Sequence, residues 1–203
     1  MLLTLSAILC GCAAASSSPA SPSVLYRDDF SSAASGWDRL LTAEGVMDYD
    51  GGGYRMLVNT LQANFWSTPH RSFTNVRLEV DAGKLAGPDE NRIGLICRYT
   101  GEDYYFLIIT SDGYYAIGIF TGGRAALLGQ SAMQYSAHIK TGLAVNHLRA
   151  DCSGQVLALY ANGALLGKAT DPSLKQGGVG LLAGTFSEPG VDVIFDDFQV
   201  LKP

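Results

Sequence analysis

The sequence predicts an all-β protein: a two-sheet antiparallel β-sandwich preceded by an unstructured N-terminal signal and linker. Three observations lead there. Apolar residues recur at every second position over most of the chain, and no segment carries a convincing helical period. Turn-forming groups built on Gly, Asn and Asp interrupt these runs at short intervals. Composition agrees, because 24 glycines, 10 % aromatic and only 16 % charged residues suit a folded body rich in turns and argue against disorder.

The first element in chain order is not a strand. A short apolar run ends at Leu9-Cys10-Gly11-Cys12, and only Ala, Ser and Pro follow as far as Ser23. The run resembles a bacterial lipoprotein signal, which has a Leu three residues before the lipidated cysteine and a small residue just before it. Cys12 fits, with Leu9 and Gly11 in those places; Cys10 fits poorly, with Ala7 and Leu9. The basic opening segment usual in secretory signals is missing, since the first basic residue is Arg27. The resemblance implies a signal peptide over 1–11, lipid on Cys12, and a flexible Ala/Ser/Pro spacer over 12–23. It also implies an extracytoplasmic location on the cell membrane or outer membrane. A transmembrane span is not expected, because crossing a bilayer takes ~20 apolar residues.

Val24–Pro203 is enough chain for one well-buried domain. Within Phe73–Ala82, Val76, Leu78 and Val80 face one way while Arg77, Glu79 and Asp81 face the other. Tyr104–Thr110 and Tyr114–Phe120 are apolar on both faces, which places them mid-sheet between the core and a partly covered groove. Ser111-Asp112-Gly113 between them suits a three-residue hairpin ending in a left-handed Gly. From Asn146 to Cys152 the alternation sets Leu148, Ala150 and Cys152 against His147, Arg149 and Asp151. Asn162-Gly163 suits a two-residue turn with positive φ at both positions. So many strands exceed what one open twisted sheet holds, so they split into two stacked sheets of the jelly-roll kind.

Once Cys12 is lipidated and Cys10 removed, Cys97 and Cys152 remain, both on core-side positions. In an oxidising compartment an even pair is expected to form a disulfide; the alternative is two buried free thiols. The net charge of −5, with no Lys/Arg cluster, offers nucleic acid no attraction.

Several motifs carry a family resemblance. They are Tyr26-Arg27-Asp28-Asp29-Phe30 with Gly36-Trp37, Gly94-Leu95-Ile96-Cys97-Arg98-Tyr99, and Tyr104-Tyr105-Phe106 through Asp112-Gly113-Tyr114. Asn146-His147-Leu148-Arg149 through Asn162-Gly163, Gly178-Val179-Gly180-Leu181 and Phe195-Asp196-Asp197-Phe198 complete the set. Together they resemble the concanavalin A-like lectin/glucanase sandwich, in its laminin-G-like and 3-keto-disaccharide-hydrolase-like branch, over all of Val24–Pro203. That fold hosts lectins, glycosidases and adhesive modules, so it sets architecture more firmly than activity.

The laminarinase-like glycosidases of this fold carry Glu-x-Asp-x-x-Glu on one strand. Here Glu79 and Asp81 are in register but Lys84 replaces the third acid, which removes an acid/base contributing ~10²–10⁴-fold. In the keto-disaccharide-hydrolase-like relatives a Glu-bearing strand is followed by Asn-Ser-Gly and an Arg. This chain has Glu79 and Arg98 but reads Asn91-Arg92-Ile93-Gly94 between them. Alternation places Arg98 opposite Cys97, toward the groove, where a guanidinium can fork sugar hydroxyls. Pairing with Glu79 or Asp103 is the alternative. Sugar rings stack their C–H faces on aromatics. Tyr104, Tyr105 and Tyr114 are therefore expected beside Arg98 as the ligand-binding set, with Tyr115 and Trp66 as further candidates. Trp37 reads as a packing residue.

The doublets Asp28-Asp29 and Asp196-Asp197 sit near the two ends of the domain. If the terminal strands run side by side, four carboxylates could gather around a structural Ca²⁺, as relatives of this fold frequently do. The local alternative is a β-bulge at Asp196-Asp197, with the aspartates bonding nearby backbone. His70, His138 and His147 have no metal-ligand spacing, and no Ser-hydrolase, phosphate-loop or dinucleotide motif occurs. The expectation is a lipid-anchored surface module that binds a glycan. Hydrolysis of a 3-keto-disaccharide or related glycan, or adhesion to other proteins, are the alternatives.

Overall fold

The computed structural model describes residues 22–203. The lipidation residue Cys12, the signal and nearly all of the spacer lie outside the described residues. Among those described there are seventeen strands and one 3₁₀ turn at Ala33–Ser35. In chain order they begin with β1 (Val24–Asp28), β2 (Leu40–Thr42), β3 (Gly45–Asp50), β4 (Gly53–Val58), β5 (Asn64–Ser67) and β6 (Ser72–Phe73). The middle of the chain supplies β7 (Val76–Ala86), β8 (Asn91–Tyr99), β9 (Tyr104–Ile109), β10 (Tyr114–Thr121), β11 (Arg124–Leu127) and β12 (Gln134–Tyr135). The last strands are β13 (Val145–Ser153), β14 (Val156–Ala161), β15 (Ala164–Thr170), β16 (Gly177–Thr185) and β17 (Val191–Leu201).

They form two antiparallel sheets. The larger runs β15-β14-β13-β7-β17-β4-β3-β2, with β1 also on β17; the smaller runs β11-β10-β9-β8-β16-β5, with β12 on β10 and β6 on β16. The terminal strands do lie side by side, Asp28 opposite Phe198. Both turn assignments hold. Asn162 and Gly163 have φ of 52° and 84°, and Gly113 closes its hairpin at 98°. Only glycine adopts such angles without strain, and Asn tolerates them better than most residues.

Period-2 alternation places the core. Val76, Leu78 and Val80 of β7 face Leu95 and Cys97 of β8 and Leu107 of β9 between the sheets, all but fully buried. Phe30, Trp37, Tyr54 and Phe198 close one end of this core as a cluster of tilted and edge-on rings. Trp37 is thus the packing residue its context predicted.

Cys97 and Cys152 are bonded to each other. Cys97 lies on β8 and Cys152 on β13, so the bridge spans the core from one sheet to the other. Among the described residues no helix is long and apolar enough to cross a membrane.

The aspartate doublets settle on local bonding. Asp28 is buried and accepts from the Trp37 indole, the Tyr26 hydroxyl and the Phe30 amide. Asp29 accepts from Ser31. The register of β17 slips between Asp196 and Gln199, and the Asp196 side chain accepts from the Asp197 amide. This is the β-bulge alternative. Among the described residues no group of three or more His, Cys, Asp or Glu is arranged to hold a metal, so the four-aspartate Ca²⁺ site is corrected. Asp28 already accepts from three donors, and Asp29 and Asp196 are each bonded to a neighbouring residue of their own segment.

Burial, with the charges of Asp197, Asp81 and Asp29, raises the Asp196 carboxyl above its ordinary value. A carboxyl raised in the folded state binds protons more readily there than in the unfolded chain. Stability therefore falls as pH rises through that window, which opens near the ordinary aspartate value. Asp196→Asn is expected to stabilise the protein at neutral pH, with the gain shrinking toward pH ~4. Thermal melts of both proteins across pH measure this, and a gain independent of pH would contradict it.

Candidate functional site

The outer face of the smaller sheet is apolar, which is unusual for a surface facing solvent. Alternation on β9 sends Tyr105, Leu107 and Ile109 inward and Tyr104, Phe106 and Ile108 outward. On β10 it sends Ala116, Gly118 and Phe120 outward beside them. Leu182 of β16, Ile96 of β8 and Trp66 of β5 complete a second, smaller apolar cluster on this face. Sequence reasoning had placed a half-covered groove over β9 and β10, and it is there.

The groove has a volume of about 450 Å³. Its floor is Phe106, Ile108, Ala116 and Leu182, its walls Phe120, Leu127 and Met133, and its polar end Gln62, Asn64 and Arg92. Gly118 is required by the floor, because a Cβ there would lie 2.1 Å from Cζ of Phe106, whose ring crosses above it. Rings line the remainder of the face. Tyr104 stacks on Phe120 with centroids 5.2 Å apart, and Trp66 tilts over Tyr104 at 5.7 Å and Tyr99 at 6.4 Å. A neighbouring depression of about 400 Å³ shares Met133 and Phe186 with the groove and is bordered by Tyr114, Glu90 and Asp112.

The structure divides the four residues expected to bind ligand. Tyr104 and Tyr114 stand on the groove face. Tyr114 is exposed and packs edge-on against Tyr135 of β12. Tyr104 is 2 % exposed beneath its neighbours, so it supports the groove more than it faces a ligand, and burial pushes its hydroxyl up to about 12. Tyr105 points the other way. It is fully buried, and its hydroxyl donates to Asp171 Oδ1 at 2.5 Å and accepts from the Leu174 amide at 3.0 Å. Tyr115 likewise turns inward, against Gly167.

Arg98 is the larger correction. Strict alternation would place it in the groove, but β8 and β16 lose register there: Gly178 pairs with Tyr99 and Val179 with Cys97, leaving Arg98 unpaired at φ 56°. Gly177 makes the approach possible, since a Cβ on it would sit 2.5 Å from the Arg98 carbonyl carbon. The guanidinium passes to the sandwich edge, where Nη1 donates to Leu174 O at 2.5 Å and Nη2 to Gly154 O at 2.6 Å. It pairs with neither Glu79 nor Asp103. Its Nε, buried, has no partner. Burial lowers its proton affinity.

Glu79 and Asp81 belong to the other sheet. They stand opposite Arg149 and His147 of β13, and His147 Nδ1 lies 2.7 Å from Asp81 Oδ1. This is the solvated strand face that alternation predicted. Lys84, in the place of the third acid, is buried and bonded to Asp89. Glu79 and Arg98 are therefore not brought into one pocket.

The sequence reading missed Arg92, Asn64, Phe106, Phe120 and Met133 as groove residues. A signal for Arg92 existed, since it shares a parity with Gly94 and Ile96 on β8 ahead of the bulge. Asn64 and Met133 come from short strands and loops, whose side-chain directions no local period fixes.

No protein-family model matches the sequence, and no curated protein matches it. Solved structures do resemble it. The carbohydrate-binding module CBM66 from Bacillus subtilis aligns over 82 % of this chain and 96 % of its own, with TM-score 0.64 and 16 % identity. A Bacillus licheniformis β-glucanase covers 88 % and 97 % with TM-score 0.63 and 12 % identity. A B. subtilis protein of unknown function with a galectin-like fold covers 88 % and 96 % with TM-score 0.64 and 12 % identity. These likenesses show the fold, an antiparallel two-sheet jelly roll shared with the three structures.

Proposed function

We propose that this chain is a carbohydrate-binding module that holds a glycan in the groove on the outer face of its smaller sheet. The observation that carries the proposal is the groove itself: an apolar, ring-lined hollow with three polar side chains at one end. Sugars offer apolar C–H faces and hydroxyl edges, and this division of surface suits both. The fold is compatible, because structural neighbours include a protein named as a carbohydrate-binding module and another named as a β-glucanase. Export and anchoring through a lipid on Cys12 belong to the same proposal and would put the groove where extracellular glycans are found.

Among the described residues the groove lining holds Arg92 but no Asp or Glu. Binding is therefore the better-supported reading over hydrolysis, whose expected residues, Glu79 and Arg98, lie apart. A glycan array with the full chain, followed by calorimetry on the hits, tests the proposal. Trp66→Ala and Phe120→Ala are each expected to weaken a hit about tenfold, some 1.4 kcal/mol. A chain that retains no glycan on the array, or hits indifferent to both substitutions, would overturn it. Mass analysis of the membrane fraction tests the anchor separately, an unlipidated mature chain counting against it.

A further inference from the structure

Among the described residues Arg92 is the one cation in the groove lining, and no carboxylate is in direct contact with it, Glu90 acting on it only through space. It leaves β8 on the outer face, and its guanidinium carbon lies 3.8 Å above the centre of the Phe186 ring. Nη1 donates to Asn64 Oδ1 at 2.9 Å. Among the described residues no carboxylate forms an ion pair with it. Glu90, two residues earlier, is engaged elsewhere, accepting from Ser187 Oγ at 2.9 Å. Three other strand arginines are paired with acids. Arg55 forks Asp192, and Arg77 and Arg149 share Asp151.

A guanidinium carries five N–H donors, and one neutral amide oxygen answers only part of them. Stacking on Phe186 fixes the plane of the group and removes water from one side. Burial depresses its proton affinity and outweighs the opposing pull of Tyr104 and Glu90, as expected for a cation partly stripped of solvent with no anion in contact. Such a group gains most from a planar anion that arrives with the ligand, because the fork geometry matches a carboxylate and the desolvation has already been incurred.

We infer that the glycan held in this groove is acidic, with a sugar carboxylate gripped by Arg92 at the Gln62–Asn64 end. The ring bearing it lies with its C–H face toward Phe106 and Phe120. The inference rests on the glycan-binding reading and narrows it to sugars of the uronate or sialate kind.

Calorimetry on the full chain with oligogalacturonate, oligomannuronate and 3′-sialyllactose, each beside its carboxyl-reduced form, tests it at about 0.15 M ionic strength. At least one acid form is expected to bind about tenfold or more tighter than its reduced form. Arg92→Met is expected to abolish that preference, and Arg92→Lys, which keeps the charge and loses the fork, to retain part of it. If Arg92→Met does not fold, the acid-to-reduced ratio on the native chain and on Arg92→Lys decides. Equal binding of acid and reduced forms, or a preference that survives in Arg92→Met, overturns the acidic assignment while leaving glycan binding in place. Failure of every form to bind also overturns the acidic assignment, and glycan binding falls with it only when the array is empty as well.

Discussion

Replacing Arg98 by alanine is expected to destabilise the fold by about 3 kcal/mol while leaving glycan affinity in the groove unchanged. Two carbonyl groups, on Leu174 and Gly154, accept from its guanidinium. Gly154 belongs to the turn between β13 and β14, and Leu174 to the connection that carries the chain from β15 to β16. Arg98 therefore ties β8 of the smaller sheet to a turn of the larger one and to the connection between β15 and β16. Tyr105 fastens the same crossing segment through Asp171 and the Leu174 amide. Truncation leaves two acceptors short of a donor at a site closed to solvent, and each costs roughly 1–3 kcal/mol. Arg98→Lys is expected to lose most of this as well, because a single ammonium on a shorter side chain does not reproduce the fork. Urea denaturation measures the effect as a lower midpoint at unchanged slope. A midpoint within ~0.5 kcal/mol of the native protein, together with lost glycan binding, would return Arg98 to the groove.

Opening the Cys97–Cys152 bridge is expected to cost about 4 kcal/mol in the chain-entropy model, given the 55-residue separation of the two cysteines. The bond restrains the unfolded chain over more than a quarter of its length, and in the folded state it joins β8 to β13 across the core. Both residues are fully buried, so reductant is expected to reach the bond only when the protein opens. Denaturation curves with and without a thiol reductant make the comparison, with Cys97→Ala/Cys152→Ala as the second variant. Coincident curves would contradict the expectation. Because Arg98 follows Cys97 directly, the two effects should not add, and a double-mutant cycle would reveal coupling between them.

These residues also mark how much of the protein can be read from sequence. Cys97 and Cys152 were placed on core-facing positions by alternation alone, and the fold brings them together. The groove over β9 and β10 was legible for the same reason, since strands apolar on both sides must cover both. Arg98 was misplaced by the same rule, applied one residue too far. Its neighbour Tyr99 resumes the pairing only after the bulge, and the cause of that bulge, Gly177, lies on a strand from the far end of the chain. Tyr104 was placed on the correct face, but its cover by Trp66 and Phe120 reverses its expected exposure.

The chain's own pattern determined the all-β class, the two faces of each regular strand, the αL turns at Gly113 and Asn162-Gly163, and that a lysine, Lys84, follows Glu79 and Asp81 where a third acid would be needed. All of these depend on backbone geometry that repeats every two residues or on the torsional freedom of one residue. Tertiary structure alone decided where Arg98 goes, how Trp37 and Tyr26 bond Asp28, and that Arg92 is ion-paired with no carboxylate among the described residues. Each of those depends on which distant strand lies alongside, and pairing across a sheet is fixed by packing of the whole sandwich, not by any local period.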